Sequence, residues 1–381
     1  MSLLEEINSH DLLIVGSGLY GLTIAERVAN NSNKKVIILE KRKHIGGNAF
    51  SYFDETSGIE VHKYGSHLFH TSNKKIWDYV NTFTSFNNYQ HKVFSVYNDK
   101  IYSMPVNLHT FSAVFNKSMS PSEAKDLIRQ TANAEQMKNL EDKAISLVGK
   151  EIYETLIKGY TQKQWQTDPK LLPSEIITRL PIRFTYNNNY FEDTWEGLPI
   201  SGYGKWFERM TESPKISIKL ETDYFDVKSQ VKIPTVYTGP VDRYFGYSEG
   251  VLGWRTLDFD FELLKMDDYQ GTSVINYADL NVPFTRIHEF KHLHPERPKS
   301  DFTVIAREFS RVSTEFDEPY YPIHSVGDRK IIEKYRLKIE KEDKNMVFFG
   351  GRLGTYKYLD MHMAIGSALT FYQNHLYKLF S

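Results

Sequence analysis

Residues 11–40, DLLIVGSGLYGLTIAERVANNSNKKVIILE, decide the fold of this chain. The stretch begins with an apolar run that ends at Gly16, passes through Gly18 and Gly21, and continues with apolar residues at helical spacing. A second apolar run follows and ends at Glu40. Strand, glycine turn, helix and strand in this order predict the first βαβ unit of a Rossmann-like domain.

The three glycines and Glu40 fit a dinucleotide-binding turn. Gly16 permits the tight turn, Gly18 lets the backbone approach a pyrophosphate, and Gly21 lets the helix pack closely on the strand. The helix N-terminus then presents free N–H groups to the phosphates. Glu40 follows Gly21 by 19 positions, where an acidic residue accepts hydrogen bonds from the adenosine ribose. The sequence therefore predicts dinucleotide binding.

The segment after Glu40 favours FAD over NAD. It reads KRKHIGGNAF, with a second glycine pair at Gly46 and Gly47, and this suits the longer, bent FAD molecule. Only one dinucleotide fingerprint occurs in the sequence, so a separate NADPH domain is not expected.

The rest of the chain predicts further helices and strands. Residues 121–158 have helical patterning, and we expect two or three helices with a break near 131–140. Short β-type runs in 213–238 and 250–310 indicate mostly antiparallel sheet. Residues 346–351, MVFFGG, predict a strand that returns to the first sheet, followed by a helix over about 361–379. At the end of that strand we expect Gly350, Gly351 and Arg352 near the flavin.

The predicted fold class is mixed α/β, with a Rossmann-like FAD-binding domain, an inserted helical domain and a mostly antiparallel β-sheet substrate domain. The three domains are expected to be interleaved along the chain. Their predicted ranges are 1–85, about 200–245 and 325–381 for the FAD-binding domain, about 106–165 for the helical domain, and about 86–105, 166–199 and 246–324 for the sheet domain.

Composition narrows the function classes. The 381 residues include 47 Lys+Arg and 48 Asp+Glu, so the formal charge is −1 and gives no general attraction to nucleic acid. The chain has no cysteine, which excludes disulfides, thiolate nucleophiles and thiolate-ligated metal centres. The polar N-terminus does not resemble a signal peptide, and no stretch is long and apolar enough to insert into a membrane. We therefore expect a cytoplasmic protein.

The histidine-rich segment HKYGSHLFH, with His62, His67 and His70, could in principle hold a metal. No carboxylate lies among these residues, and the surroundings are apolar and aromatic, which favours structural or flavin-packing histidines. The sequence also lacks the G-x-S-x-G elbow of α/β-hydrolases and a Walker A motif.

Three arginines have aromatic neighbours. Arg183 lies in LPIRFTYNNNYF, Arg286 in VPFTRIHEF and Arg352 in FGGRLGTYKYLDM. A guanidinium group beside tyrosines makes a good diphosphate clamp, although each arginine could equally form a structural ion pair. Tyr160 and Trp165, in KGYTQKQW, could stack on a base or sugar or could simply pack a helix end.

The chain resembles the bacterial UDP-galactopyranose mutases. The matching segments run in family order over residues 12–375 and include IVGSGLYG, EKRKHIGGNA, VHKYGSHLFHT, ISLVGKEIYETLIKGYTQKQW, RLPIRFTYNNNYF, YTGPVDRYF, VPFTRIHE, EPYYP and FGGRLGTYKYLDMH. The sequence departs from the family at Gln166, where the family usually has glycine. This departure bears on the loop beside Trp165 and not on the reaction.

The resemblance implies a flavin-dependent isomerase that interconverts UDP-galactopyranose and UDP-galactofuranose, a precursor of cell-surface glycans. It implies non-covalent FAD that is active when reduced, with N5 attacking the sugar anomeric carbon while UDP leaves and later returns. There is no net redox change. An external reductant such as NADPH and a homodimer are further expectations, and UDP-N-acetylgalactosamine stays open as an alternative substrate.

The resemblance also assigns residues by motif. Tyr160 is similar to the uracil-stacking tyrosine, Trp165 to a tryptophan of the sugar pocket, and Arg183 to a mobile-loop arginine that closes on the diphosphate. The other diphosphate contacts are Tyr190, Arg286, Tyr321 and Tyr358, and Arg183, Arg286 and Tyr358 are the expected catalytic side chains. The expected cofactor-binding residues are Gly16, Gly18, Gly21, Glu40, Gly47, Asn48, His67, Arg352 and Asp360.

Two other classes share the FAD-binding start. A flavin amine oxidase or desaturase would hold an amine or apolar substrate and consume oxygen. The arginine–tyrosine pairs argue against it, because such a substrate has no diphosphate. A binding protein of the Rab-escort or GDI type would leave the KGYTQKQW and RFTYNNNYF segments without a use.

Overall fold

A computed structural model describes residues 2–131, 138–179, 181–315, 317–342 and 346–381 of the chain. It has two principal sheets. The strands are β1 (Leu12–Val15), β2 (Val36–Leu39), β3 (Ser51–Phe53), β4 (Glu60–His62), β5 (Phe69–Thr71), β6 (Val93–Tyr97), β7 (Lys100–Met104), β8 (Trp195–Gly197), β9 (Ile216–Lys219), β10 (Thr235–Tyr237), β11 (Trp254–Leu264), β12 (Val274–Tyr277), β13 (Arg286–Glu289), β14 (Thr303–Val312), β15 (Tyr321–Pro322) and β16 (Val347–Phe349).

Helices cover the sheets and form a separate cluster. They are α1 (Leu3–Asn8), α2 (Leu19–Asn31), α3 (Lys74–Val80), α4 (Leu108–Phe115), α5 (Pro121–Thr131), α6 (Leu140–Val148), α7 (Lys150–Ile152), α8 (Lys158–Trp165), α9 (Tyr203–Met210), α10 (Val241–Tyr244), α11 (Val326–Ile339), α12 (Gly351–Thr355), α13 (Met361–Phe371) and α14 (Tyr377–Phe380). A π-helical turn joins α7 to α8, and another joins α13 to α14. Among the described residues, we find no helix with the length and apolar character needed to cross a membrane.

The predicted βαβ unit is confirmed. Strands β1 and β2 pair in parallel through α2, with Leu13 opposite Ile37. Both strands are buried on two faces, because Leu12 and Ile14 pack in one apolar cluster while Leu13 packs in another on the opposite side of the sheet. Burial on both faces explains why these strands are continuous apolar runs rather than alternating ones.

The first sheet is completed by distant segments. Its order is β16-β10-β1-β2-β9, and every pair is parallel. The predicted return of the 346–351 strand to this sheet is confirmed by the pairing of β16 with β10. The assignment of 213–238 to antiparallel sheet is wrong, since β9 and β10 are both in the parallel sheet. Short apolar runs do not indicate the direction of pairing, which depends on the connections between strands.

The second sheet has seven strands in the order β15-β11-β14-β13-β12-β6-β7. All its pairs are antiparallel except β12 with β6, so the prediction of a mostly antiparallel sheet is confirmed. Helices α4 to α8 and their connections pack around a separate apolar core that includes Phe111, Leu140 and Tyr153. Most of the predicted helix break near 131–140 lies outside the described residues, which resume at Lys138.

Candidate functional site: a dinucleotide cavity and a paired arginine

A cavity of about 1080 Å³ opens at the carboxyl ends of the parallel strands. Val15, Leu39 and Tyr237, the last residues of β1, β2 and β10, line it, and ligands of open α/β sheets bind at this edge. The volume exceeds the range of about 300–1,000 Å³ typical of drug-sized ligands. The predicted cofactor residues that line the cavity are Gly16, Gly18, Gly21, Glu40, Gly47, Asn48, His67 and Arg352.

The two glycine turns meet at the cavity wall. The Gly46 N–H donates to the Ser17 carbonyl at 2.9 Å, and a Cβ on Gly47 would lie 3.1 Å from Gly18 Cα. A Cβ on Gly18 would meet nothing within 4 Å, so Gly18 leaves open space, whereas a Cβ on Gly21 would lie 2.2 Å from the Gly16 carbonyl oxygen. Gly18 therefore provides room for a ligand, and Gly21 provides close packing of the helix, as a dinucleotide cradle requires.

Glu40 directly follows β2, and hydrogen bonds fix both of its carboxylate oxygens. Oε2 accepts from the Ser17 N–H at 2.9 Å and from Ser17 Oγ at 2.6 Å, and Oε1 accepts from the Arg42 N–H at 2.9 Å. Oε2 thus accepts two hydrogen bonds already, and Oε1 retains a lone pair that could accept from a ribose hydroxyl. The geometry fits the ribose-binding role that the spacing predicts.

Arg42 is a cavity residue that sequence reasoning missed. Its Nη2 donates to Asn48 Oδ1 at 2.9 Å and to the Glu318 carboxylate at 2.7 Å, and the guanidinium lies 4.6 Å from the centroid of the Tyr64 ring. Its Nη1 is buried without a hydrogen-bond partner among the described residues. A donor of this kind at a cavity wall fits a ligand rich in acceptors, such as FAD. The sequence feature that could have indicated this role of Arg42 was the basic segment directly after Glu40.

His67 and Arg352 lie at one part of the cavity lining. Burial lowers the pKa of His67 to about 4, so its ring is neutral near pH 7. Because its Nδ1 donates to the Gly65 carbonyl at 2.8 Å, its Nε2 is left as an acceptor. Arg352 donates to the carbonyls of Tyr320 at 3.1 Å and Leu359 at 2.7 Å, which fixes its guanidinium in place.

Two tyrosines, Tyr358 and Tyr321, lie beside Arg352, and together we call them the tyrosine line. The Arg352 guanidinium lies 5.3 Å from the Tyr358 ring centroid and 6.0 Å from that of Tyr321, and these two rings stack with centroids 5.9 Å apart. Burial raises the pKa of Tyr358 and of Tyr321, so both phenols keep their protons. Asp360 is the N-cap residue of α13, between the cavity-lining residues Leu359 and Met361.

Arg286, a partly buried cation whose Nε is shielded from solvent, lies at the other end of this line. Its Nε lies 3.3 Å from Oε1 of Glu308 on the neighbouring strand β14, and its Nη2 donates to the Tyr160 hydroxyl. Burial acts to lower the pKa of Arg286, but the Glu308 carboxylate together with Tyr160, Tyr321 and Tyr190 raises it overall. Burial raises the pKa of Tyr160 to about 12. The structure thus places six of the candidate site residues in one group: Tyr160, Tyr190, Arg286, Tyr321, Tyr358 and Arg352.

Glu308 was not identified from the sequence. Burial acts to raise its pKa, but Arg286 together with His288 and Thr285 lowers it overall, so the carboxylate is charged. Glu308 Oε2 also accepts a hydrogen bond from His288 Nε2 at 3.1 Å, so the His288 ring carries a proton on Nε2. Its position in an ordinary β-type run, FTVIAREF, gave no signal, because the pairing with Arg286 depends on strand register.

The Arg183 guanidinium is bonded within its own loop. Its Nε donates to the Glu192 carboxylate at 2.9 Å, and its other nitrogens donate to the carbonyls of Asn187, Asn189 and Tyr190. The Tyr190 ring, by contrast, lies near Arg286 and Tyr160. The loop thus carries Tyr190 to the predicted diphosphate site while the guanidinium of Arg183 organises the loop backbone.

Trp165 ends α8, and its side chain packs on the helical core. The following residue, Gln166, has φ +49°, a left-handed conformation that glycine adopts without strain. Its Oε1 accepts from the Val312 N–H at 3.3 Å and from Arg255 Nη1 at 3.5 Å. Arg255 is buried and also donates to Ser310 Oγ at 3.0 Å. The family's glycine at this position thus has a conformational reason, and Gln166 replaces it with side-chain contacts.

The three histidines of HKYGSHLFH have separate partners. His62 Nδ1 accepts from the His67 backbone N–H at 3.0 Å, and His70 Nδ1 pairs with Asp193 at 2.7 Å. In the described part of the chain, a grouping of three potential metal ligands occurs elsewhere, at Asp268, Glu289 and His292.

Comparisons with known proteins agree with this geometry. A family model described as UDP-galactopyranose mutase matches residues 155–358, and one described as an NAD(P)-binding Rossmann-like domain matches residues 14–83. A probable UDP-galactopyranose mutase of Klebsiella pneumoniae is 40% identical over 365 residues, covering 95% of this chain and 94% of that protein. A dTDP-fucopyranose mutase of Escherichia coli is also 40% identical, over 369 residues, covering 94% of this chain and 96% of that protein.

Solved structures show the same fold. A crystal structure of reduced UDP-galactopyranose mutase matches with a TM-score of 0.73 at 15% identity, covering 96% of this chain and 94% of that chain. Fold and cavity together define a Rossmann-like dinucleotide-binding protein. The chain belongs to the UDP-galactopyranose mutase family of flavin-type mutases and is an isomerase.

Proposed function

We propose that the protein interconverts the pyranose and furanose forms of a nucleoside diphosphate sugar, UDP-galactose in the first instance, with bound reduced FAD and no net redox change. The observation that carries this proposal is the placement of Arg286. It is a partly buried cation paired with the buried carboxylate of Glu308, and the tyrosine line connects it to Arg352 at the cavity. This arrangement supports a diphosphate site beside a flavin site.

Each of these side chains has a distinct role in this proposal. Arg286 is charged and is paired with Glu308, so it can stabilise the negative charge that develops on a departing diphosphate and hold the diphosphate until the sugar is recaptured. Tyr190, Tyr321 and Tyr358 can donate to phosphate oxygens, and Tyr160 can stack on the base. Reduced FAD would supply the nucleophilic nitrogen, N5. The candidate FAD contacts are the glycine turns, Glu40, Arg42, Asn48, His67, Arg352 and Asp360.

A second candidate substrate is dTDP-fucopyranose. The observation that favours it is the 40% identity to a dTDP-fucopyranose mutase, which equals the identity to the probable UDP-galactopyranose mutase. The two substrates differ in base, in the ribose 2′-hydroxyl and in the sugar C6 hydroxyl. Both carry the diphosphate that Arg286 would bind, so the proposed chemistry is common to them.

The test is to incubate dithionite-reduced protein separately with UDP-galactose, UDP-N-acetylgalactosamine and dTDP-fucopyranose and to separate the products by chromatography. We expect a furanose isomer from UDP-galactose and no consumption of reductant per turnover, with NADPH able to replace dithionite. Conversion of dTDP-fucopyranose alone would select the second candidate. NADPH oxidation or peroxide formation in proportion to product would contradict the proposal and favour the oxidase class.

A further inference from the structure

The loop between Arg183 and Asp193 is held differently at its two ends. At the first end the Arg183 N–H donates to the Val106 carbonyl at 2.9 Å, and the side chain of Arg183 binds the loop carbonyls. At the second end Asp193 precedes β8, which pairs with β5, the strand that contains His70. The second end therefore connects the loop to the segment that begins with the cavity residue His67.

His70 makes two separate contacts with the second end. Its Nδ1 lies 2.7 Å from Asp193 Oδ2, and its ring stacks on Phe191 with centroids 3.8 Å apart and an angle of 12°. Ser72 donates to the other Asp193 oxygen at 3.0 Å and accepts from the Thr194 N–H at 3.0 Å. His70 is 9% exposed, whereas Ser72 is exposed, so the His70 ring is largely shielded from water while the Ser72 contacts are not. A partly buried charge-assisted bond and a ring stack on one side chain make a specific anchor.

The anchored residues adjoin the predicted substrate contacts. Tyr190, one residue before Phe191, approaches Arg286 with its ring and donates its N–H to the His91 carbonyl at 2.8 Å. Because Phe191 and Asp193 are fixed by His70, the range of positions open to Tyr190 is limited. Arg183 bonds to carbonyls of the same loop, so a shift of the second end would also shift the acceptors of Arg183.

We propose that His70 is a positioning residue that anchors the Arg183 loop over the diphosphate site and so links this loop to the flavin-contacting segment at His67. The inference rests on the proposed function. It assigns to a histidine of the HKYGSHLFH motif a role in substrate capture. His70 acts through Asp193 and Phe191 and does not touch the substrate.

A double-mutant cycle with Arg183 tests this role. His70→Phe keeps the ring stack and removes the bond to Asp193, and we expect it to lower kcat/KM about tenfold, mainly through a higher KM, with FAD content unchanged. Since His70 acts through the Arg183 loop, adding His70→Phe to Arg183→Ala should give no further loss. His70→Asn, which can still donate to Asp193, should recover part of the activity. His292→Phe, which removes a histidine paired with Asp268 and Glu289, is the matched control and should behave as wild type.

A second measurement needs no substrate. In the FAD-containing protein, limited chymotrypsin digestion should cut His70→Phe several-fold faster than wild type or His292→Phe after Tyr186, Tyr190 or Phe191. Additive losses in the cycle, or unchanged digestion of His70→Phe, would overturn the anchor. If wild type does not convert any nucleoside diphosphate sugar, the proposed function fails instead, and the digestion result still decides whether His70 holds the loop.

Discussion

The proposed cofactor end and the proposed substrate end of the site are built in opposite ways. At the cofactor end, Gly16 to Asn48 form a cradle mainly from backbone, with the Gly46 N–H bonded to the Ser17 carbonyl within one short segment. At the substrate end, Arg286 meets a tyrosine 126 positions away in sequence and a glutamate on the next strand. A backbone cradle depends on local spacing, whereas a side-chain cluster depends on how distant elements pack.

This difference predicts how each end responds to mutation. An added methyl group should disrupt the cradle at Gly21, whereas the cradle should tolerate the same group at Gly18, three residues away. The cluster should keep its fold when one side chain is lost, because strands β13 and β14 are held by their backbone ladder, and it should lose function instead.

The largest effect is expected from Gly21→Ala. The new Cβ would lie 2.2 Å from the Gly16 carbonyl oxygen, and neither backbone can move without disturbing the turn, so we expect a loss of about 3 kcal/mol or more in the free energy of unfolding and loss of bound FAD. Gly18→Ala is the matched control, since its Cβ meets nothing within 4 Å. It should leave the stability of the FAD-free protein nearly unchanged and weaken only FAD binding. Urea unfolding and flavin absorbance measure the two effects, and equal destabilisation by both variants would contradict this account.

The next effect concerns Arg286. Arg286→Ala should lower kcat/KM at least tenfold with normal FAD content, because it removes a charge-assisted contact worth about 1.5–3 kcal/mol. Arg183→Ala should also lower kcat/KM at least tenfold, with part of the loss from slower loop closure. Arg286→Lys should rescue poorly, since an ammonium group cannot reproduce the planar fork.

Steady-state kinetics of reduced enzyme with the furanose substrate provides the measurement for the arginine variants. Flavin absorbance controls for loading, and thermal unfolding controls for the buried Glu308 carboxylate that Arg286→Ala leaves with His288 and Thr285 as partners. Near wild-type kcat/KM in both alanine variants would show that the diphosphate binds elsewhere.

The same contrast explains what the sequence could predict. The order of glycines and Glu40 specified the βαβ unit and the cavity, because each residue acts within its own segment. The role of Arg42 was missed although its neighbours were recognised, since its partner Glu318 is 276 positions away. No sequence pattern indicated a role for Glu308, because its pairing with Arg286 can be inferred only once the register of β13 and β14 is known. The direction of β9 and β10 was missed for a related reason, because pairing direction is a property of connections.

Glu196 on β8 is connected to Tyr190 through the backbone of His91, and it allows a test by pH. Burial raises the pKa of Glu196 to about 7, while its Oε1 accepts from the His91 N–H at 2.5 Å. The carboxyl binds its proton more tightly in the folded state than in the unfolded state, where its pKa is about 4.3. Its contribution to stability is therefore present below about pH 4 and lost as the pH rises through about 7.

Glu196→Gln should remove this pH dependence. After allowance for partial exposure, we expect the variant to be about 1–2 kcal/mol more stable than wild type at pH 8 and nearly equal at pH 4.5. Urea unfolding at both pH values measures the difference. The exposed residue Glu212 supplies the control variant Glu212→Gln, which should not change the pH profile. If the free energy of unfolding of Glu196→Gln had the same pH dependence as that of wild type, ionisation of Glu196 would have no free-energy cost in the folded state.

The smallest effect is expected where the chain departs from its family, at Gln166. The left-handed backbone at φ +49° costs a non-glycine residue about 1 kcal/mol, and the contacts of Oε1 with Val312 and Arg255 offset part of it. Gln166→Gly removes both the cost and the contacts, so the free energy of unfolding should change by less than about 1 kcal/mol and kcat/KM by less than about twofold. Gln166→Ala keeps the cost and loses the contacts, and it should be less stable than Gln166→Gly by about 1 kcal/mol. If instead Gln166→Gly loses most of its activity while Gln166→Ala retains its stability, the contact with Arg255 positions Trp165. The substrate end would then depend on side-chain contacts even where the family relies on the backbone freedom of glycine.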